Sequence, residues 1–208
     1  MSQGHLIIGA SGHAKVIADI LIEQGLDLLG FVDDNELLHG QDILGYPVLG
    51  SIQQWKLFKP AGIIIGIGDN LIRKIIYNKL APDSPPWITA IHPQATLSKS
   101  VMVGHGTVIM AGSVINVDTT IRQHCIINTG ATIDHDCHIG SFVHIGPGTS
   151  IAGGVSVDDE TFLGIGSRVI PSCHIGKQSI IGAGAVVTQD IPNNVTAVGV
   201  PARWYKKE

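Results

Sequence analysis

The stretch richest in reactive side chains is Asn128-Thr-Gly-Ala-Thr-Ile-Asp134-His135-Asp136-Cys137-His138. At its centre an imidazole, which titrates near neutrality, stands between two carboxylates. A neighbouring carboxylate fixes the imidazole tautomer and raises its basicity, which a general base needs. An exposed histidine among surface charges gives the same pattern, and spacing alone leaves both readings open. A second set lies near the other end, in Gly9-Ala10-Ser11-Gly12-His13. Backbone N–H groups at a helix start, with no bulky side chains in the way, suit a phosphate. Asp33 stands 21 positions after Gly12, where an acceptor for a ribose hydroxyl belongs. The loop is not a full G-x-G-x-x-G, and glycines that only permit tight strand–helix packing would look alike.

The elements that must carry these groups fall into two parts. In residues 1–88, His5-Leu-Ile-Ile8 reads as a buried strand. Residues 14–24 read as a helix with Val16, Ile17, Ile20 and Leu21 on one face. Leu28 to Val32 reads as a second strand and Ile63-Ile64-Ile65 as a third, followed by Gly66-Ile67-Gly68-Asp69-Asn70 and a helix carrying Arg73, Lys74 and Lys79. Strand, loop, helix, strand in repetition predicts a small Rossmann-like parallel α/β domain. Ligands of such sheets sit at the carboxyl ends of the strands. Loops 9–13, 33–35 and 66–70 all fall there. Pro82, Pro85 and Pro86 end the last helix and mark a stiff linker.

Residues 89–208 carry a six-residue period. From Ile91 to Val187, every sixth residue is Ile, Leu or Val. Four positions after each stands a small or β-branched residue. A hexapeptide period of this length predicts a parallel β-helix. Three units make one 18-residue triangular coil, and coils stack at about 4.8 Å. Seventeen units therefore give between five and six coils, a prism roughly 27 Å long. Periodicity does not set its hand. The inward positions hold aliphatic and small side chains, so chemistry belongs on outward positions, at corners or between protomers. Cys125, Cys137 and Cys173 share the small inward position. They read as small core residues, with a disulfide or a metal site as the alternative.

Composition narrows the classes. A net charge of −4 argues against a nucleic-acid surface. No apolar run reaches the roughly 18 residues that span a bilayer. No cation precedes Lys15, which argues against a secretory signal and favours the cytoplasm, as does the sparse cysteine.

The hexapeptide run resembles the left-handed β-helix acyltransferases. Joined to Gly-Ala-Ser-Gly-His-Ala-Lys, Phe-Val-Asp-Asp, Gly-Ile-Gly-Asp-Asn with Ile72-Arg73-Lys74, and the closing Gly199-Val-Pro-Ala-Arg203, it resembles the PglD/NeuD-like sugar acetyltransferases. The resemblance covers essentially the whole chain and implies a left-handed helix. It implies His135 as general base and Asp136 as the acid that orients it. The family pattern has Glu at that position, so this chain's acid is one methylene shorter. It places Asn128 near the acceptor amine, His144 on acetyl-CoA, and Gly153, Ile165 and Ala183 along the pantetheine. The last stands where the family usually has Gly. It places Ser11, Gly12 and His13 on the phosphates of a nucleotide sugar, Asp33 and Asp34 near base and ribose, and Gly68 in the same pocket.

The implied activity is acetyl transfer to the amine of a UDP- or dTDP-linked 4-amino-4,6-dideoxyhexose, in bacterial glycan synthesis, by a homotrimer without a metal. Transfer to a hydroxyl, as in sialic acid O-acetylation, is the alternative. A γ-type carbonic anhydrase would use His138 and His174, but Ser179 stands where its third ligand belongs. A non-enzymatic or ice-binding solenoid needs outward ladders of one residue type, and here they are mixed. A dehydrogenase would need a second half-sheet beyond residue 80.

Overall fold

The computed structural model describes residues 4–206. The chain divides into two compact units, Met1–Pro93 and Gln94–Glu208.

In the first unit, strand β1 (His5–Ile8) runs between β2 (Leu28–Val32) and, on its other side, a strand at Gly62–Ile65, all parallel. A short antiparallel ladder of β3 (Asp42–Ile43) and β4 (Tyr46–Pro47) lies between them in sequence, so the Gly62–Ile65 strand is β5. Leu6, Ile7 and Ile8 are fully buried, as expected for a central parallel strand covered on both faces. Helix α1 (Gly12–Glu23) buries Ala14, Ile17, Ala18, Ile20 and Leu21. Val16, expected on that face, is 40% exposed. The buried stripe follows 14, 17, 18 and 21, the i, i+3, i+4, i+7 spacing, which leaves Val16 on the flank. Helix α2 (Asn70–Leu80) starts at an N-cap, Asp69, whose carboxylate accepts from Ile72 N–H. Arg73 on this helix is buried, 1% exposed. Pro82 sits in the short 3-10 turn after α2, where its missing N–H costs nothing.

The second unit is a parallel β-helix. Each hexapeptide contributes a two-residue strand, and each strand pairs in parallel with its counterparts one coil before and one coil after. On the first face Val114–Ile115 pairs with Thr132–Ile133, which pairs with Ser150–Ile151. The second face stacks Thr120–Ile121, His138–Ile139 and Ser156–Val157. The third stacks Ile126–Ile127, His144–Ile145 and Phe162–Leu163. The aliphatic residue of each pair points inward: Ile127, Ile145, Leu163 and Ile181 are fully buried.

Turning the corner sets a second six-residue phase that hydrophobicity does not show. Every sixth residue from Gly106 to Gly184 has φ between +55° and +70°. Half of these positions are glycine; Asp136 is among the others. The small inward residues also do more than fit. Thr107, Ser113, Thr119, Thr149 and Thr161 each donate a hydroxyl hydrogen bond to the backbone carbonyl 15 residues ahead, at a corner of the next coil. Cys125 and Cys137 direct their thiols to the equivalent carbonyls. All three cysteines are free and buried, and burial pushes the Cys137 and Cys173 thiols above their ordinary pKa.

The chain ends in a hairpin. Val195–Val198 pairs in parallel with the last third-face strand and antiparallel with Arg203–Lys206. Trp204 and Tyr205 are 43% and 56% exposed. On the third face the edge of the last coil is therefore covered by backbone pairing.

Because each aliphatic layer packs only on its neighbours, Ile145→Ala should destabilise the protein by about 2–5 kcal/mol. Urea unfolding checks this, and a variant with the same midpoint as wild type would contradict the layer packing described.

Candidate active site

His135 and Asp136 form the turn between the first and second faces. Asp136 is one of the left-handed corner residues, with φ +57°, a conformation that Asp tolerates better than most residues. Its Oδ2 lies 2.7 Å from His135 Nδ1. An ionised carboxylate only accepts, so Nδ1 carries the hydrogen and Nε2 keeps its lone pair. Asp134 completes the group. Its Oδ1 accepts from His135 N–H at 2.9 Å and from Asn116 Nδ2 at 2.8 Å. The Asn116 hydrogen bond first, then the His135 N–H, holds the Asp134 carboxyl below its ordinary range. The Asp136 hydrogen bond first, then the charge of Asp134, raises His135 above the ordinary histidine value. His135 remains half exposed, so a substrate can reach it.

One coil on, Gly153 stacks under His135. A Cβ built on Gly153 would lie 2.6 Å from His135 Cε1 and 2.7 Å from Nε2. The glycine is the seat of the ring. Its own N–H makes no hydrogen bond among the described residues. Sequence reading found His135, Asp136 and Gly153 but gave Gly153 a different task, and it missed Asn116. Both relations are visible when the sequence is written one coil to a line: 116 stands over 134, and 135 over 153.

The other repeat residues occupy a different part of the coil. Asn128 opens the corner between the third and first faces, and its Nδ2 donates to His144 Nε2 at 3.1 Å. Its Oδ1 accepts from Thr129 N–H, which fixes the amide orientation. The His144 ring meets Phe162 edge-on at 5.1 Å. Ile165 and Ala183 stand one coil apart on the same corner as Asn128, and Ile165 is 59% exposed. A single prism thus carries two groups of candidate residues on separate corners. Asn128 and His144 are in contact, Ile165 and Ala183 are stacked, and neither pair touches the His135 corner.

In the first unit the expected loops do converge. Asp33 Oδ2 accepts from Ala10 N–H and Oδ1 from Asn35 N–H, each at 2.8 Å. Its carboxylate ties the loop after β1 to the loop after β2. Asp34 Oδ1 accepts from Ile52 N–H. The loop after β5 is organised by the buried Arg73, which donates to Ile67 O, Gly68 O and Asn70 Oδ1. Gly9 has φ +103°, and a Cβ there would lie 2.8 Å from Ile67, so the chain itself requires that glycine. Gly12 and Gly68 differ: neither has positive φ, and a Cβ on either would meet nothing within 4 Å. Packing does not explain them. Ser11 is exposed and makes no side-chain cap on α1, and His13 lies in the first turn of that helix.

Known proteins align with both units. Residues 6–80 match the PglD N-terminal domain, and residues 118–153 match the bacterial transferase hexapeptide model. A GDP-perosamine N-acetyltransferase of Escherichia coli is 30% identical over 97% of this chain and 96% of its own length. The chain belongs to the PglD/NeuD-like sugar acetyltransferase family. Among solved members, PerB from Caulobacter crescentus, in complex with CoA and GDP-perosamine, superposes with a TM-score of 0.93 and is 41% identical, covering 97% of each chain. The acetyltransferase domain of PglB from Neisseria gonorrhoeae, in complex with acetyl coenzyme A, gives 0.91 and 33% identity, over 98% of this chain and 99% of that domain. The β-helix is accordingly of the left-handed acetyltransferase form, and the protein is an acyltransferase.

No helix among the described residues is long and apolar enough to cross a membrane. No group of three or more His, Cys, Asp or Glu side chains among them could hold a metal.

Gly153→Ala tests the seat of the ring. The backbone there suits Ala, so the clash with the ring is set against the gain of about 0.4–1 kcal/mol that such a change brings through the unfolded chain. Acetyl transfer should nevertheless fall on the order of a hundredfold, the scale set by about 1 Å of displacement. Melting temperature and kcat measured together check it.

Proposed function

We propose that this protein transfers the acetyl group of acetyl-CoA to the amine of a nucleotide-linked amino sugar, with His135 as general base. The observation that carries the proposal is the His135–Asp136 contact, which leaves Nε2 unprotonated in an exposed, fixed ring. The sugar nitrogen attacks the thioester carbon, and a tetrahedral oxyanion forms. His135 Nε2 takes the proton that the nitrogen sheds. The C–S bond then breaks and CoA leaves as thiolate, giving an amide. The Gly153 N–H, beside the ring, is a donor for the oxyanion.

Asn128 and His144 orient the reacting groups, and Gly153, Ile165 and Ala183 line the pantetheine path. Because the His135 corner and the Asn128 corner are separate on one prism, the site is completed by a neighbouring copy, which favours the homotrimer. Ser11, Gly12 and His13 take the phosphates at the start of α1. The unfilled space at Gly12 and Gly68 supports close approach of a ligand to backbone. Asp33 and Asp34, whose carboxylates already hold loops, have lone pairs left for ribose and base. Uridine and thymidine carriers follow from the family resemblance. The full-length relatives named for GDP-perosamine add the guanosine carrier as the first to try. A cytoplasmic glycan pathway fits a reaction that consumes acetyl-CoA.

Release of CoA thiol with a panel of GDP-, UDP- and dTDP-linked 4-amino sugars, and with free sialic acid, tests the reading. One fast amino sugar is expected. Turnover only with hydroxyl acceptors would replace amide by ester formation.

His135→Ala should lower kcat by roughly 10²–10⁴, and near wild-type turnover would remove His135 from the role. The neutral ring is the active form, so kcat/KM should rise with pH through a value above the ordinary ~6.5. Asp136→Asn removes the main cause of the raised pKa and should move that limb to lower pH. In the first unit, Gly12→Ala should keep or slightly raise the melting temperature while raising KM for the nucleotide sugar about tenfold, the worth of one lost close contact. Unaltered KM would take the phosphates away from this loop.

A further inference from the structure

The turn that carries His135 is held from the preceding coil by two side chains: Asn116 binds the Asp134 carboxylate, and Thr119 binds the backbone at both ends. Thr119 is fully buried. Its hydroxyl donates to Asp134 O at 2.7 Å and accepts from Cys137 N–H at 3.2 Å. One oxygen thus closes both ends of the four-residue turn 134–137. The backbone bonds of that turn run to neighbouring coils: Asp134 N–H to Ile151 O, Asp136 N–H to Val117 O and Gly154 N–H to His135 O. These fix its height between coils but do not span it from end to end. Asp134 and Asp136, which orient His135 through its N–H and its Nδ1, sit at the start and middle of the clamped segment.

The fold does not need a hydroxyl at this phase. The same inward position is Ala131, Val143, Val155 and Ala185 elsewhere, all buried. A hydroxyl under the base is therefore separable from the requirement for a small buried side chain. We propose that Thr119 is a positioning residue for the reaction, setting the pose of His135 and Asp136 through the backbone turn that bears them. This rests on the reading of His135 as the base. Loss of the clamp frees Asp134 O and Cys137 N–H, both next to the core, to find other partners. The turn relaxes, and the imidazole drifts from its seat on Gly153.

The test uses Thr119→Val and Thr119→Ala, which put into this coil side chains the fold already carries at the same phase, and Thr119→Ser, which keeps the hydroxyl. Thr161→Val is the control. Thr161 makes the same kind of bond, to Gly176 O at 2.8 Å, at a corner without site residues. Thr119→Val and Thr119→Ala should lower kcat about tenfold with KM for acetyl-CoA within twofold, and Thr119→Ser should restore kcat. Thr161→Val should match their loss of melting temperature with wild-type kcat. Independently of turnover, histidine-labelled protein followed by NMR should show the His135 titration moving to lower pH in Thr119→Val and staying in place in Thr161→Val. Wild-type kcat and an unmoved titration in Thr119→Val would overturn the proposal, as would an equal kcat loss in Thr161→Val. If the wild type acetylates no acceptor, the functional reading fails on that result alone, and the titration still decides whether Thr119 positions the ring.

Discussion

Everything in the second unit depends on a stacking register of one full coil, three hexapeptides long. Two-residue strands are too short to be stable alone. Each exists because its N–H and C=O groups meet the strands one coil before and one coil after. That register fixes what lies over what. It puts Gly153 beneath the ring of His135, Asn116 above the carboxylate of Asp134, and Thr119 beside the turn that joins them. A histidine on a long loop would need its own supporting shell. Here the neighbouring coils are the shell, and the general solenoid bonding is adapted at one corner by three residue choices.

Electrostatics follows from the same geometry. Asp134 is kept ionised by donors on its own coil and the previous one, and its charge adds to the hydrogen bond that His135 donates to Asp136 in raising the basicity of His135. The ring stays half exposed, so water screens these effects and leaves them modest. What the arrangement supplies is chiefly orientation: a proton committed at Nδ1, a lone pair at Nε2, and an imidazole plane set by a glycine that leaves no room for a side chain.

The architecture was legible in the residues because its period is short and its inward positions are chemically uniform. Ile91 through Val187 announces the prism, and strand–loop–helix alternation announces the first unit. Three things were not legible. Only half of the corner residues with positive φ are glycine: Asp118, His124 and Phe142 occupy the same phase as Gly106, so no single residue type marks it. The inward Thr and Ser were chosen for a donor as well as for size, which hydropathy cannot show. Val16, expected inward, faces outward because helix packing on a three-stranded sheet depends on crossing geometry, and the burial of Arg73 beneath the loop after β5 has no mark in the sequence. Of the site, the reactive types could be read directly. Their grouping into two corners could not, since it is a property of where the triangle bends.

The closing hairpin has a consequence for the molecule's length. A left-handed prism that stopped on a bare coil would offer a full set of parallel strand ends, to which the first coil of another copy could add, and then another. Arg203–Lys206 covers that edge on the third face alone, pairing antiparallel with Val195–Val198, while the first-face ladder ends at Val186–Val187 and the second at His174–Ile175. The hairpin thus occupies one of the three strand edges on which a further coil would stack.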